Sequence, residues 1–163
     1  MLDGTFTNPQ LTITPAPHRL FPYQGIRFEY PRTFSFEADL ADPAEKSWTI
    51  SGNDVKIMFF ALDAELTPTA FADSVIAQFD RTNSKILDAN AKLTLGAHSV
   101  TGVKLQLTVA THKMTQEAYA LPALRGKTRL IVLQDSPDEQ GNRSAEGKAM
   151  LALLQKSFQI DGK

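Results

Sequence analysis

The fold of this chain is decided by the stretch from His98 to Asp135, which runs HSVTGVKLQLTVATHKMTQEAYALPALRGKTRLIVLQD. Apolar and polar residues alternate along its first part, with apolar side chains at Val103, Leu105, Leu107 and Val109. A period of two is typical of a strand with one buried and one solvent-facing side. After a polar interval the stretch turns through Pro and Gly at 122–126 and alternates again over 128–134, which is a hairpin signal. We therefore predict a long antiparallel sheet at the centre of the protein.

Shorter segments upstream extend this sheet. Residues 26–30 alternate in the same way, and 48–50 and 55–62 flank a turn made of Ser51, Gly, Asn and Asp54. Gly, Asn and Asp tolerate positive φ, so the second pair is expected to form a hairpin. Residues 57–62 are nearly all apolar, which predicts a central strand that is covered on both faces. Residues 85–91 fit either a short strand or a loop.

Two helices are predicted, one on each side of the central hairpin. Thr67 and Pro68 open the first helix as cap and first helical residue, and Ser144 caps the second, with Glu146 near its positive end. Each helix has an apolar stripe at helical spacing, formed by Phe71, Val75, Ile76 and Phe79 in the first and by Met150, Leu151, Leu154 and Phe158 in the second. The helices are inserted between strands rather than alternating with them, which indicates an α+β fold. We expect one domain, mainly an antiparallel sheet sandwiched between helices.

The composition excludes several classes of function. The 163 residues are 42% hydrophobic and 21% charged, as in an ordinary globular domain, and the net charge is -1. Without a basic field or a run of like charges we expect no nucleic-acid partner. The chain has no cysteine, so thiol catalysis and cysteine-ligated metals are excluded. No apolar run is long enough to cross a membrane.

The first 24 residues differ in character from the rest. They are rich in Thr and Pro, and Pro fixes φ and removes a hydrogen-bond donor. We therefore divide the chain into an extended Pro-rich arm, residues 1–24, and a folded domain, residues 25–163. The start at Met1 does not look like a signal peptide. The expected location is cytoplasmic if Met1 is the native start, and periplasmic or lumenal if a leader has been removed.

Several segments resemble PsbP-like domains. The strand Ile26–Pro31 followed by Phe34 is similar to the first strand of those domains, and Trp48 with the strand to Leu62 is similar to the next pair. Leu95-Gly96, Gly102-Val103 and the closing Ser157-Phe158 also fit. The resemblance covers about Gly25 to Ile160. It implies the PsbP-like α/β/α sandwich, a superfamily that includes PsbP of photosystem II, Mog-type Ran binders, DcrB-like lipoproteins and small secretion chaperones. Members are binding and assembly proteins, and no site residue carries over.

No motif points to catalysis, a metal or a cofactor. The histidines His18, His98 and His112 are far apart, and a metal site using His112 with Glu117 lacks further support. The acidic loop with Asp135, Asp138 and Glu139 has too few carboxylates for calcium. Glycines are isolated turn residues rather than a phosphate loop. We therefore predict no catalytic, metal or cofactor-binding residues.

Two groups of residues are candidates for contacting a partner. Asp63 and Glu65 form an acidic patch after the third main strand, in a loop, where function is often found. Met114, Tyr119, Leu121 and Leu124 place apolar side chains on the segment that leads to the hairpin turn. If this segment is exposed it forms a docking patch, and if the arm or a helix covers it the residues are core.

The leading hypothesis is a non-enzymatic protein-binding or assembly module, monomeric or weakly dimeric, with an unidentified protein partner. The first alternative is a small-molecule or lipid carrier, which requires an apolar cavity between sheet and helix. The second alternative is a hydrolase-type enzyme, which requires a pocket with convergent polar groups and a strongly perturbed titratable residue.

Overall fold

The computed structural model describes residues 14–161, which form ten strands and two helices. The strands are β1 (His18–Phe21), β2 (Ile26–Pro31), β3 (Ser35–Asp39), β4 (Glu45–Ser51), β5 (Val55–Leu62), β6 (Ser84–Leu95), β7 (His98–Val109), β8 (His112–Leu124), β9 (Lys127–Asp135) and β10 (Gln159–Ile160). The helices are α1 (Pro68–Phe79) and α2 (Ala145–Ser157).

All strand pairings are antiparallel and build two sheets. The main sheet has seven strands in the order β3-β4-β5-β9-β8-β7-β6, and the small sheet has the order β1-β2-β10. The central register pairs Gly102 with Tyr119 and Tyr119 with Ile131, so these three residues share one face of the main sheet. The predicted hairpin of β8 and β9 and the predicted hairpin of β4 and β5 are both confirmed.

The two faces of the main sheet are covered differently. One face packs against α2 and the small sheet in a core that includes Phe28, Phe59, Ile131, Met150 and Leu154. The other face packs against α1 in a smaller cluster with Val75, Leu105 and Leu107 among its members. Full burial of such side chains stabilises by about 1.5–3 kcal/mol each. The predicted α+β sandwich, a sheet between helices, is thus the observed architecture.

Both helices begin at the predicted caps. The hydroxyl of Thr67 accepts a hydrogen bond from the main-chain N–H of Ala70 at 3.1 Å, and that of Ser144 accepts from Gly147 at 2.9 Å. Pro68 stands at the start of α1, where its missing N–H costs nothing. The Glu146 carboxylate, besides lying in the first turn of α2, accepts a 2.7 Å bond from the main-chain N–H of Asp54. That bond fixes α2 to the β4–β5 turn.

Three details differ from or sharpen the expectations. Residues 85–91 belong to β6, where register shifts near Asp88 explain the weak alternation. β5 is fully covered on one face only, because α1 lies over β6, β7 and β8 and leaves Met58 and Phe60 half-buried. Residues 18–21 of the predicted arm form β1, which pairs with β2. Residues 1–13 of that arm lie outside the described residues, so the division at residue 24 stays a prediction.

Candidate functional site

A cleft of about 790 Å³ lies at the end of the sandwich where the β1–β2 and β8–β9 turns meet. We call it the end cleft, and it is lined by Gln24, Gly25, Ala123, Leu124, Arg125, Lys127 and Asp161. The convergence follows from the directions of the strands. β8 ends here, β9 begins here because it runs antiparallel to β8, and β5 ends here because it runs antiparallel to β9. β2 begins at the same place, directly after the Gln24–Gly25 turn that lines the cleft. Its volume lies in the range of protein ligand sites, about 300–1,000 Å³.

Two tight turns form the rim of the end cleft. Gln24 and Gly25 have φ of 52° and 70°, and Arg125 and Gly126 have φ of 50° and 76°. Two successive positive φ values are the mark of type I′ turns, which suit hairpins because their twist matches that of the strands. The second turn contains the predicted Gly126. Each turn therefore places one non-glycine side chain at a fixed position beside the cleft.

Long-range contacts hold the first turn against β8. A Cβ on Gly25 would lie 2.8 Å from Leu124 Cδ2, so any larger residue here would have to displace the end of the Leu124 side chain. The Gly25 carbonyl accepts a 2.9 Å hydrogen bond from the N–H of Asp161, and the Gln24 carbonyl accepts a 2.7 Å bond from Arg129 Nη1. The wall of the cleft is thus fixed from two directions.

Arg129 is the least expected residue of this region. It is 2% exposed, and its Nε donates to the Pro122 carbonyl at 2.7 Å while its Nη1 donates to Gln24. Burial lowers the pKa of the Arg129 guanidinium, which nevertheless stays charged at neutral pH. No carboxylate lies within 4.0 Å of it among residues 14–161. A positive charge therefore sits directly behind the turn that lines the cleft.

Ion pairs cross the rim. Lys127 pairs with Asp63 and also reaches the Pro43 carbonyl at 3.4 Å, and Arg27 pairs with Asp161 at 2.7 Å. Arg125 is exposed and, in the described part of the chain, makes no ion pair. Exposed pairs contribute little stability, about 0–1 kcal/mol. Their effect here is to orient Lys127 and Asp161 at the mouth of the cleft.

The structure separates the six residues that the sequence proposed as partner contacts. Leu124 lines the end cleft, Asp63 pairs with Lys127 at its rim, and Glu65 is exposed in the loop between β5 and α1. Tyr119 and Leu121 are 2% and 6% exposed and belong to the main core, because the alternation of β8 points them toward α2 and the small sheet. Met114 is half-buried against α1. Only Asp63 and Leu124 therefore meet at one site.

A buried polar cluster lies deeper under α2. The Glu117 carboxylate, in a residue 4% exposed, accepts from Tyr119 Oη at 2.8 Å, from Arg143 Nη2 at 2.5 Å and from Lys104 Nζ at 3.2 Å. Burial, followed by the charge and hydrogen bond of Glu117, raises the pKa of Tyr119 far above its usual range. Tyr119 is therefore a neutral donor at physiological pH. Each member has a partner, so the cluster fastens the loop before α2 to the sheet.

Asp135 anchors the same loop a few residues away. It is 1% exposed, and its carboxylate accepts from the Ser144 N–H at 2.8 Å and from the Ser144 hydroxyl at 2.5 Å. Ser144 in turn caps α2. These carboxylates have fixed structural partners, and among residues 14–161 no group of three or more His, Asp or Glu is arranged to hold a metal ion. Of the three histidines considered as metal ligands, His18 has its Nδ1 atom 3.3 Å from Oε2 of Glu29.

The interface between α2 and the sheet encloses a cavity of only about 10 Å³, lined by residues such as Ile57, Leu133, Met150 and Leu154. That volume is at the lower limit for holding a single water molecule, about 10–15 Å³. A lipid or other carried molecule therefore does not fit in this cavity. Within residues 14–161, no helix combines the length and hydrophobicity needed to cross a membrane.

Sequence reasoning missed Gln24, Arg129 and Lys127 as site residues. A signal for Arg129 existed, since it has the same parity on β9 as Ile131 and Leu133 and so had to face inward. No local signal marks Gln24, whose place depends on how the small sheet packs on the main one.

Comparisons with known proteins address the fold. No protein-family model matches the chain, and no curated protein matches its sequence. The solution structure of cyanobacterial PsbP (CyanoP) from Synechocystis sp. PCC 6803 is similar, with a TM-score of 0.56, 12% identity, and coverage of 94% of this chain and 97% of that one. LpqN, described as involved in cell envelope biogenesis of Mycobacterium tuberculosis, matches with a TM-score of 0.40, 12% identity, and coverage of 92% and 82%. The likeness to CyanoP, over nearly the whole of both chains, agrees with the order of strands and helices described above, and this chain has the PsbP-like fold.

Proposed function

We propose that this protein is a non-enzymatic binding or assembly module that holds a segment of a partner protein in the end cleft. The observation that supports the proposal is the cleft itself, about 790 Å³ in volume and formed by two rigid turns, a leucine and cationic side chains. Backbone turns on a fixed scaffold are a common place for recognition. Of the predicted contact residues, Leu124 lines the cleft, Asp63 pairs with the lining residue Lys127, and Glu65 lies in the adjoining loop.

The chemistry of the described residues favours binding over hydrolysis. Burial raises the pKa of Tyr119 and lowers the pKa of Arg129, and both side chains donate hydrogen bonds to fixed protein acceptors. The lining of the end cleft contains no hydroxyl or imidazole, and its two groups that could serve as a base or nucleophile, the Asp161 carboxylate and the Lys127 amine, are each held in an ion pair. A docking role requires only shape and charge, which the lining supplies.

Site-specific photocrosslinking in the cells that produce the protein tests the proposal. A photoreactive amino acid at Ala123, an exposed residue of the lining, is expected to give one defined adduct with a partner protein. The same amino acid at Ala152, an exposed alanine on α2, is the matched control and is expected to give none. Equal adducts from both positions, or no adduct from Ala123, would contradict the proposal.

A further inference from the structure

The charges around the end cleft are unbalanced. Four cationic side chains surround it: Arg125 and Lys127 line it, Arg27 pairs with the lining residue Asp161, and Arg129 lies behind its wall. The carboxylates in the same region are those of Asp63 and Asp161. The local net charge is therefore +2, while the whole chain has a net charge of -1. A cleft whose charge opposes that of the rest of the protein focuses an attractive potential on ligands of the opposite sign.

The unbalanced charge resides on two residues with different exposure. Lys127 and Arg27 are paired with carboxylates, whereas Arg125 and Arg129 have none within 4.0 Å among the described residues. Arg125 is exposed at the rim, and Arg129 is 98% buried, with both of its observed hydrogen bonds on neutral carbonyls. A charge in a poorly screened interior acts over a longer range than one in water.

Desolvating a guanidinium without a carboxylate is costly, so a nearby anion would offset part of the cost. Arg129 Nη1 lies 3.4 Å from the position of a Cβ on Gly25, which itself lines the cleft. An anion in the cleft would thus approach Arg129 across a single turn of main chain. Arg125 and Lys127 would meet the same anion from the solvent side.

We propose that the end cleft recognises an extended, acidic segment of a partner protein, in which an Asp or Glu side chain lies next to an apolar residue. The inference rests on the proposed function and adds the chemistry of the ligand. The carboxylate contacts Arg125 and Lys127 above the buried charge of Arg129, and the apolar neighbour packs on Leu124. Arg129 is a positioning residue, because it holds the Gln24–Gly25 turn and supplies charge from behind the wall.

Titration of the full-length, ¹⁵N-labelled chain with two synthetic peptides tests this. The acidic probe is acetyl-Leu-Glu-Leu-Asp-Leu-amide, and the neutral probe has Gln and Asn in place of the two acids. We expect the acidic peptide to shift the amide signals of Gly25, Leu124 and Gly126, to bind roughly tenfold more tightly than the neutral one, and to weaken as salt screens the charges.

A matched pair of variants locates the charge that matters. R125Q removes a cation at the cleft, and R81Q removes an exposed cation at the opposite end, near the loop after α1, so both change the net charge equally. We expect R125Q to weaken binding of the acidic peptide about three- to tenfold and R81Q to leave it nearly unchanged. Equal losses would mean a general charge effect and would overturn the proposal.

Three other outcomes would also overturn it. Inorganic phosphate that shifts the same amides with the affinity of the acidic peptide would indicate a site for small anions. Equal binding of both peptides, or binding of neither at millimolar concentration, would refute the preference for an acidic segment. The photocrosslink at Ala123 distinguishes these failures from failure of the proposed function, since it does not depend on ligand charge.

Discussion

The wall of the end cleft depends on one close approach, which a pair of glycine substitutions tests. Gly25 and Gly126 each occupy the second position of a tight turn, with φ of 70° and 76°. A Cβ on Gly25 would lie 2.8 Å from Leu124 Cδ2, whereas a Cβ on Gly126 would meet nothing within 4 Å. G25A and G126A therefore share the cost of the backbone conformation and differ in the contact.

The magnitude follows from that difference. An L-residue in the left-handed region costs about 1–2 kcal/mol in both variants, and the loss of unfolded-state entropy returns about 0.4–1 kcal/mol in both. The overlap in G25A adds about 1–2 kcal/mol, the lower part of the usual range for overpacking because Leu124 can move the end of its side chain. For a domain of this size that is a further loss of about 2–8 °C in Tm.

Urea unfolding measures both free energies directly. Trp48, the single tryptophan, is 3% exposed and reports on the main core through its fluorescence. Linear extrapolation then gives the free energy of unfolding of each variant. If G25A and G126A lose the same free energy, the Gln24–Gly25 turn does not pack on β8 and the cleft wall described above is wrong.

The remaining predictions concern the groups that fasten α2 and the cleft. Y119F removes the donor of a 2.8 Å hydrogen bond to buried Glu117 and should lower the free energy of unfolding by about 1–2 kcal/mol. An unchanged free energy of unfolding would mean that Glu117 does not need this donor. Because the pKa of Tyr119 is raised above its unfolded value of about 10, the unfolded state loses that proton first, so the wild type should lose stability as the pH rises above 10, whereas Y119F should lose less. S144A removes the cap of α2 and a buried hydrogen bond to Asp135, and it should lower the free energy of unfolding by about 1–2 kcal/mol. T67A removes the exposed cap of α1 and should lower it by only about 0.5–1 kcal/mol. A larger loss in T67A than in S144A would refute this ranking. R129M leaves the Pro122 and Gln24 carbonyls without a donor and should lower the free energy of unfolding by about 2 kcal/mol. R129K keeps the positive charge and should therefore bind the acidic peptide more tightly than R129M does. Equal affinity of the two variants would show that the charge of Arg129 does not contribute to binding.

The sequence predicted the sheet and the helices because both depend on local patterns. Alternation over 103–109 and 128–134 determined which side chains face inward, and Thr67 and Ser144 marked the helix starts. The same alternation applied to Arg129 would have placed a charge in the core. The sequence did not indicate that the Gln24–Gly25 turn lies against the end of β8, because that contact depends on how the small sheet packs on the main sheet.

The candidate site shows the same limit. Asp63 was chosen as an acidic residue in a loop and Leu124 as an apolar residue near the hairpin turn; Leu124 lines the end cleft, and Asp63 pairs with Lys127 at its rim. Tyr119 and Leu121 were chosen for the same reason as Leu124, but both side chains lie on the face of β8 that packs into the main core with residues of α2 and β2. A hairpin sequence does not indicate which of its faces other elements will cover.

The central claim is that recognition takes place at the end cleft and not along a strand edge. The most direct measurement is the amide NMR spectrum of the ¹⁵N-labelled chain in a clarified lysate of the cells that produce it. The account predicts that amides of 24–25 and 123–127 broaden first, and that L124D, which places a carboxylate among the lining residues, abolishes the effect. Broadening centred on β6, the exposed edge strand with Ile86 and Leu87 at its surface, would contradict it.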